Sequence, residues 1–174
     1  MLLARVSVGG APFVARMDGD RALPPGDARL PGILDPPLSH AVERSALRLL
    51  APLQPRKILC IGRNYAAHAA ELGNSVPARP LLFSKPPSAI IGPEDPILLP
   101  PDSLRVEHEG ELAVVIGTRC RHVRPEDVAK VLFGFTCLND VTARDLQRSD
   151  TQFARGKGFE TFCPIGPWVA TGLD

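Results

Sequence analysis

Between Arg105 and Gly117 the chain reads RVEHEGELAVVIG, and few folds accommodate that stretch. In an extended strand side chains two apart share a face, so Glu107, Glu109 and Glu111 are expected to line one side. Like charges at that spacing raise each other's pKa and destabilise the strand unless a cation lies between them. A hard divalent ion such as Mg2+, held by one or two carboxylates plus water and substrate oxygens, would supply that charge and keep positions open for chemistry. A solvated acidic strand face is the other reading of the same residues. Leu112 to Ile116 are apolar at both parities, which predicts a strand covered on both faces inside a sheet or barrel. Asp140, at the end of the strand-like GFTCLND and just before a predicted helix, is the candidate third ligand.

The composition excludes several function classes. The 174 residues can hold one ordinary domain plus a small appendage. With a net charge of +1, scattered basic residues and 5% aromatics, there is neither a basic footprint nor a set of stacking platforms for nucleic acid. No apolar run approaches the ~18 residues of a membrane span, and MLLARVSVGG lacks a signal-peptide core, so a cytoplasmic location is expected. Cys60, Cys120, Cys137 and Cys163 form no CxxC pair and are expected to be reduced, mostly buried thiols.

In chain order, residues 1–52 are expected to form a small N-terminal β module with a structural or interface role. Leu2 to Val8 and Pro12 to Met17, separated by Gly9-Gly10, predict a β-hairpin, and SHAVERSALRLL a short helix. A catalytic part is expected over 53–174. KILCIG predicts a buried strand, and AAHAAELG a helix closed by Gly73. On that helix His68 and Glu71 share a face. A His oriented by a carboxylate is a general base at neutral pH; a weak surface ion pair is the alternative. Lys85 is expected in a proline-rich loop, either near an anionic substrate or simply exposed. Pro125 with acids at 126 and 127 marks a helix start. Thr142 to Asp145 fits a capping box, with a helix from Ala143 carrying Arg144, Gln147 and Arg148. Lys157, between two glycines, is expected to be a solvated side chain in a loop, and Trp168 to Thr171 is strand-like.

GRNYAAHAAELG, LLFSKPPSAIIGP, HEGELAVVIG, LNDVTARDLQ and KGFETFCPIGPW occur in this order. Together they resemble the fumarylacetoacetate hydrolase family over about residues 53–171. The resemblance implies a mixed, mostly β fold around a barrel-like β-roll with short helices, and a homodimer. It implies Mg2+ (or Mn2+ or Ca2+) on Glu109, Glu111 and Asp140, a His68–Glu71 pair on a lid helix, and Lys157 near the metal. Gln147 matches a substrate-contacting glutamine, and Arg63 and Lys85 fall in segments near the site. The activity implied is hydrolysis, isomerisation or decarboxylation of a small 2-oxo acid or enol dicarboxylate through an enolate, in aromatic-compound breakdown. Family members continue through further strands and a TGTPxG loop that are absent here. A truncated chain, with an incomplete roll and a catalytically silent role beside a partner, is therefore a second expectation.

Overall fold

The computed structural model describes residues 1–173 apart from Leu72 and Asn74, and not the side chains of residues 68, 69 and 71. The expected hairpin is present as β1 (Leu2–Val8) and β2 (Ala11–Asp18). Gly9 and Gly10 turn at positive φ, a conformation glycine adopts without steric cost. β3 (Arg21–Leu23), β4 (Val42–Glu43) and β5 (Arg48–Leu50) follow. The helix expected over SHAVERSALRLL is reduced to a single 3-10 turn, Arg44–Ala46. Arg48–Leu50 instead pairs with β1, placing Leu49 opposite Val6, and Leu47 and Leu49 are both buried. Pairing with a strand forty residues away overrides a marginal local helix pattern.

The rest of the chain supplies β6 (Ile58–Gly62), α1 (Ala66–Glu71), β7 (Leu81–Lys85), β8 (Ile90–Ile91), β9 (Val106–Glu107) and β10 (Gly110–Ile116). β11 (Leu132–Asn139), β12 (Thr142–Ala143), α2 (Arg144–Ser149), α3 (Ala154–Gly158) and β13 (Cys163–Ala170) complete the order. The architecture is mostly β with short helices, as expected. Among the described residues one open nine-stranded sheet runs β10-β11-β13-β1-β2-β3-β4, with β5 on β1 and β8 on β13; β6-β7 and β9-β12 form two separate ribbons.

Residues 1–52 and 53–174 share this sheet and one core. β1 pairs with β13 through Leu2↔Ala170 and Leu3↔Val169. The Met1 ammonium donates to the Thr171 carbonyl, and the Thr171 N–H donates back to Met1. Alternation along β1 and β2 sends Leu3 and Val14 into a cluster with Val115, Leu138 and Ile165. Ala4, Val6, Ala15 and Met17 enter a second cluster with Leu38, Leu47 and Leu49. The first hairpin is thus buried on both faces.

Three burial expectations are corrected. β10 is the edge of the sheet rather than an interior strand: Leu112, Val114 and Ile116 are exposed and only Val115 is buried. In β6, Leu59 and Ile61 are exposed, because the β6-β7 ribbon is covered on one side only. Cys120 and Cys137 are also exposed rather than buried.

Candidate functional site

The acidic stretch is not one continuous strand. β9 ends at Glu107 and β10 begins at Gly110, so the like-charge argument built on unbroken alternation does not hold across His108 and Glu109. The acids are placed by pairing instead. β10 and β11 set Gly110 opposite Asn139 and Glu111 opposite Leu138. One position beyond that ladder the Asp140 N–H donates to the Glu109 carbonyl at 2.8 Å, and the Asn139 side-chain carbonyl accepts the Glu109 N–H at 3.1 Å. Glu109 and Asp140 therefore stand side by side at the end of the sheet.

β12 then pairs antiparallel with β9, with Thr142 opposite Glu107 and Ala143 opposite Val106, and the chain turns into α2. The predicted capping box is not made. Thr142 Oγ1 donates to the Asp140 carbonyl, and Asp145 accepts from the Ser103 hydroxyl and the Leu104 N–H. Those contacts hold the Asp145 carboxyl below its usual range, the Ser103 bond first and the Leu104 bond next. Lys157 lies on α3, not in a loop, and is 2% exposed. Gly156 eases this: a Cβ there would meet the Gln147 nitrogen and Ala143 carbonyl at 3.0 and 3.2 Å, so a larger residue would push α3 away from α2 by a few tenths of an ångström.

The charge that the acids require is present in the chain itself. Lys157 Nζ donates to Glu109 Oε2 at 2.9 Å, Asp140 Oδ2 at 2.6 Å and Thr142 Oγ1 at 2.9 Å. The Phe83 ring lies 4.9 Å from the same ammonium, within cation–π range. Arg144, itself buried, bridges Glu107 at 2.7 Å and Glu109 at 2.5 Å, and holds Gln147 Oε1 at 3.1 Å. Burial alone would raise the Glu109 pKa; Lys157 and Arg144 outweigh it and keep the carboxylate below its usual value. Arg144 and Arg105 lower Glu107 in the same way, by hydrogen bonds first.

These groups open onto a cleft of about 940 Å³. Glu109, Glu111, Asp140, Gln147, Lys157 and Arg63 line it, with Arg148 beside them and a long apolar wall from β6 and β10. Arg63 holds a positive φ of 56° at the end of β6, a conformation uncommon outside glycine. The structure thus brings Glu109, Glu111, Asp140, Gln147, Arg63 and Lys157 to one cavity. Lys85 is on β7 rather than in a loop and is 1% exposed. His68 and Glu71 fall on α1, and their side chains lie outside the described residues. Sequence reasoning placed Arg144 on its helix without assigning it a partner. The signal for it was charge balance, since four acids at one sheet end demand more than one lysine.

Among the described residues, no three Asp, Glu, His or Cys side chains are gathered ready to hold an ion. The donor chemistry nonetheless suits a hard cation. Two carboxylates each put an oxygen within 2.9 Å of one positive centre, and Glu111 lines the same cavity. Oxygen donors of this kind are those that Mg2+, Ca2+ and Mn2+ prefer.

Solved structures resemble this fold along nearly the whole chain. A crystal structure of 5-carboxymethyl-2-hydroxymuconate delta-isomerase from Mycobacterium smegmatis superposes with a TM-score of 0.85 at 40% identity, covering 100% of this chain and 68% of that one. Maleylpyruvate hydrolase from Sphingobium sp. SYK-6, solved with manganese(II) and pyruvate, gives 0.71 at 31% identity, covering 98% and 67%. The mitochondrial oxaloacetate tautomerase Fahd2a of Rattus norvegicus is 47% identical over 132 residues, 75% of this chain and 42% of that protein. The chain spans about half the length of the curated relatives it matches. Residues 57–173 match the model of the fumarylacetoacetate (FAA) hydrolase C-terminal family, two thirds of the chain with the whole carboxylate site inside it, and the chain belongs to that family.

Proposed function

We infer that the chain carries the acid-binding and proton-transfer part of an enzyme that isomerises or hydrolyses a small 2-oxo acid or enol dicarboxylate. The observation that carries this reading is the ammonium of Lys157, set between Glu109 and Asp140 at the floor of an open cleft. The named activities of the relatives, an isomerase, a hydrolase and a tautomerase of small organic acids, support it.

Glu109, Glu111 and Asp140 would hold the divalent cation, with Mg2+ as our assignment. When bound, such an ion polarises the oxygens of a 2-oxo acid and eases build-up of negative charge on them. The residues of the chain do the rest. Lys157 supplies a fixed positive charge beside the oxygen on which negative charge develops, where burial strengthens its effect. Gln147, oriented by the Arg144 guanidinium, offers an amide to the substrate. Arg63 and Arg148 on the wall suit the distal carboxylate of a dicarboxylate such as those formed when aromatic rings are cleaved. His68 paired with Glu71 would take or return the proton, or activate water for hydrolysis. The reading includes a homodimer.

Ketonisation of enol-oxaloacetate and hydrolysis of an acylpyruvate, each followed by loss of enol absorbance with added Mg2+, test the proposal. Turnover of either that falls at least roughly 100-fold in Lys157→Met and in Glu111→Ala, with circular dichroism unchanged, is expected. Full activity in both variants would overturn the site, and sedimentation as a monomer at assay concentration would remove the dimer.

A further inference from the structure

We propose that Lys85 is a positioning residue that fixes Asp140 and Lys157 from behind the cleft. This rests on the site proposed above, but its first test does not depend on turnover. Lys85 does not line the cleft. Its three ammonium protons meet three acceptors of the protein: Asp140 Oδ1 at 2.7 Å, the Val141 carbonyl at 3.2 Å and the Lys157 carbonyl at 2.5 Å. A lysine has three donors and no acceptor, so Lys85 is fully engaged by the protein; Lys157 is engaged likewise, but it lines the cleft and Lys85 does not.

The consequence for Asp140 is geometric. Its Oδ1 is tied to β7 and its Oδ2 to Lys157, so the carboxylate presents one oxygen toward the cleft in one orientation. The consequence for Lys157 follows from the same ammonium. By holding the Lys157 carbonyl, Lys85 fixes the end of α3 from which the Lys157 side chain departs. Phe83 lies two positions earlier on β7, on the same face. Its ring backs the Lys157 ammonium and packs edge-on against Phe153 at 5.7 Å between centroids. β7 therefore supports both the acid and the base of the pair, although only Phe83 among its residues lines the cleft.

A buried lysine that only filled space would be better replaced by an apolar side chain, because desolvating a charge is costly. Full use of all three protons, on one carboxylate and two carbonyls belonging to the site, is what distinguishes support from filling. Outer partners of this kind characteristically change activity or ligand affinity by roughly 10–100-fold when removed.

The experiment is 15N NMR of the ammonium groups in lysine-labelled protein, with Lys157→Arg to assign the Lys157 signal. In Lys85→Met the Lys157 resonance is expected to shift and its proton exchange to quicken, while circular dichroism is kept. An unmoved Lys157 resonance in a folded Lys85→Met protein would overturn the proposal. Should that variant not fold, Lys85→Ala refolded with n-propylammonium, against n-propanol as a neutral match, decides. Restoration of the native Lys157 resonance by the cation alone supports positioning, and equal restoration by both, or by neither, refutes it. Once turnover is in hand, kcat is expected to fall roughly 10–100-fold with KM within about twofold. A wild-type chain that turns over nothing would sink the functional reading and leave the NMR result standing.

Discussion

The chain contains two hairpin-like strand pairs of similar apolar content, β1/β2 and β6/β7, and they have opposite fates. β1 and β2 lie in the middle of the nine-stranded sheet, and their alternating faces feed two different cores. β6 and β7 pair only with each other among the described residues, and Leu59, Ile61 and Leu82 are 66%, 48% and 65% exposed. Apolar content does not decide burial. What decides it is whether a second layer arrives on each face, and that depends on segments far away in sequence.

Four measurements can break or sharpen that contrast. The largest effect is expected inside the exposed ribbon, where Cys60 faces inward. Burial first, and the Asp140 charge second, push its thiol up to about 12, while Cys120 and Cys137 are exposed. Thiolate is the reactive form, so with Ellman's reagent at pH 8 the two exposed thiols should react first and Cys60 at least roughly 100-fold more slowly. Comparable rates would mean that the ribbon shields neither face. Next, Leu3→Ala should lower stability in urea unfolding by about 2–5 kcal/mol. Leu82→Ala should stay within about 0.5 kcal/mol, and equal losses would erase the distinction.

Glycines give a smaller contrast. A Cβ on Gly134 would run into the Ala170 carbonyl of β13, whereas on Gly62 it meets only side chains, Leu81 at 3.3 Å and Phe83 at 3.6 Å. Gly134→Ala should therefore cost about 1–3 kcal/mol, and Gly62→Ala distinctly less by the same assay. Smallest of all, Ile61→Lys should leave the melting temperature almost unmoved, since a lone charge on an exposed face is near neutral. It should also reduce self-association in light scattering, as charges on open strands do. A melting temperature several degrees lower would show that Ile61 is covered in solution.

The parts of the molecule that local pattern governs were legible in the sequence. The Gly9-Gly10 hairpin, β11 ending just before Asp140, and Gly73 at positive φ behind α1 each follow from turn chemistry or short-range alternation. Pairing over long distances was not legible. Arg48–Leu50 became a strand because β1 was there to receive it, and β9 separated from β10 because β12 took it as a partner. In the site, the acids stood out because like charges cannot crowd unanswered. The answer they receive, Arg144 and two buried lysines, draws on β7, α2 and α3. Nothing in the composition of SKPP or GKG says that its lysine will be 1% or 2% exposed.

The mutual hydrogen bonds of Met1 and Thr171 make the beginning of β1 and the end of β13 neighbours. Topologically the described fold is thus nearly a ring cut at one point. A few glycines and serines could join residue 173 back to residue 1, and the ring could be reopened between Gly9 and Gly10, where a Cβ would meet nothing within 4 Å. Such a rearrangement of the described residues would keep every strand pairing in the sheet and place its two ends at the tip of the first hairpin.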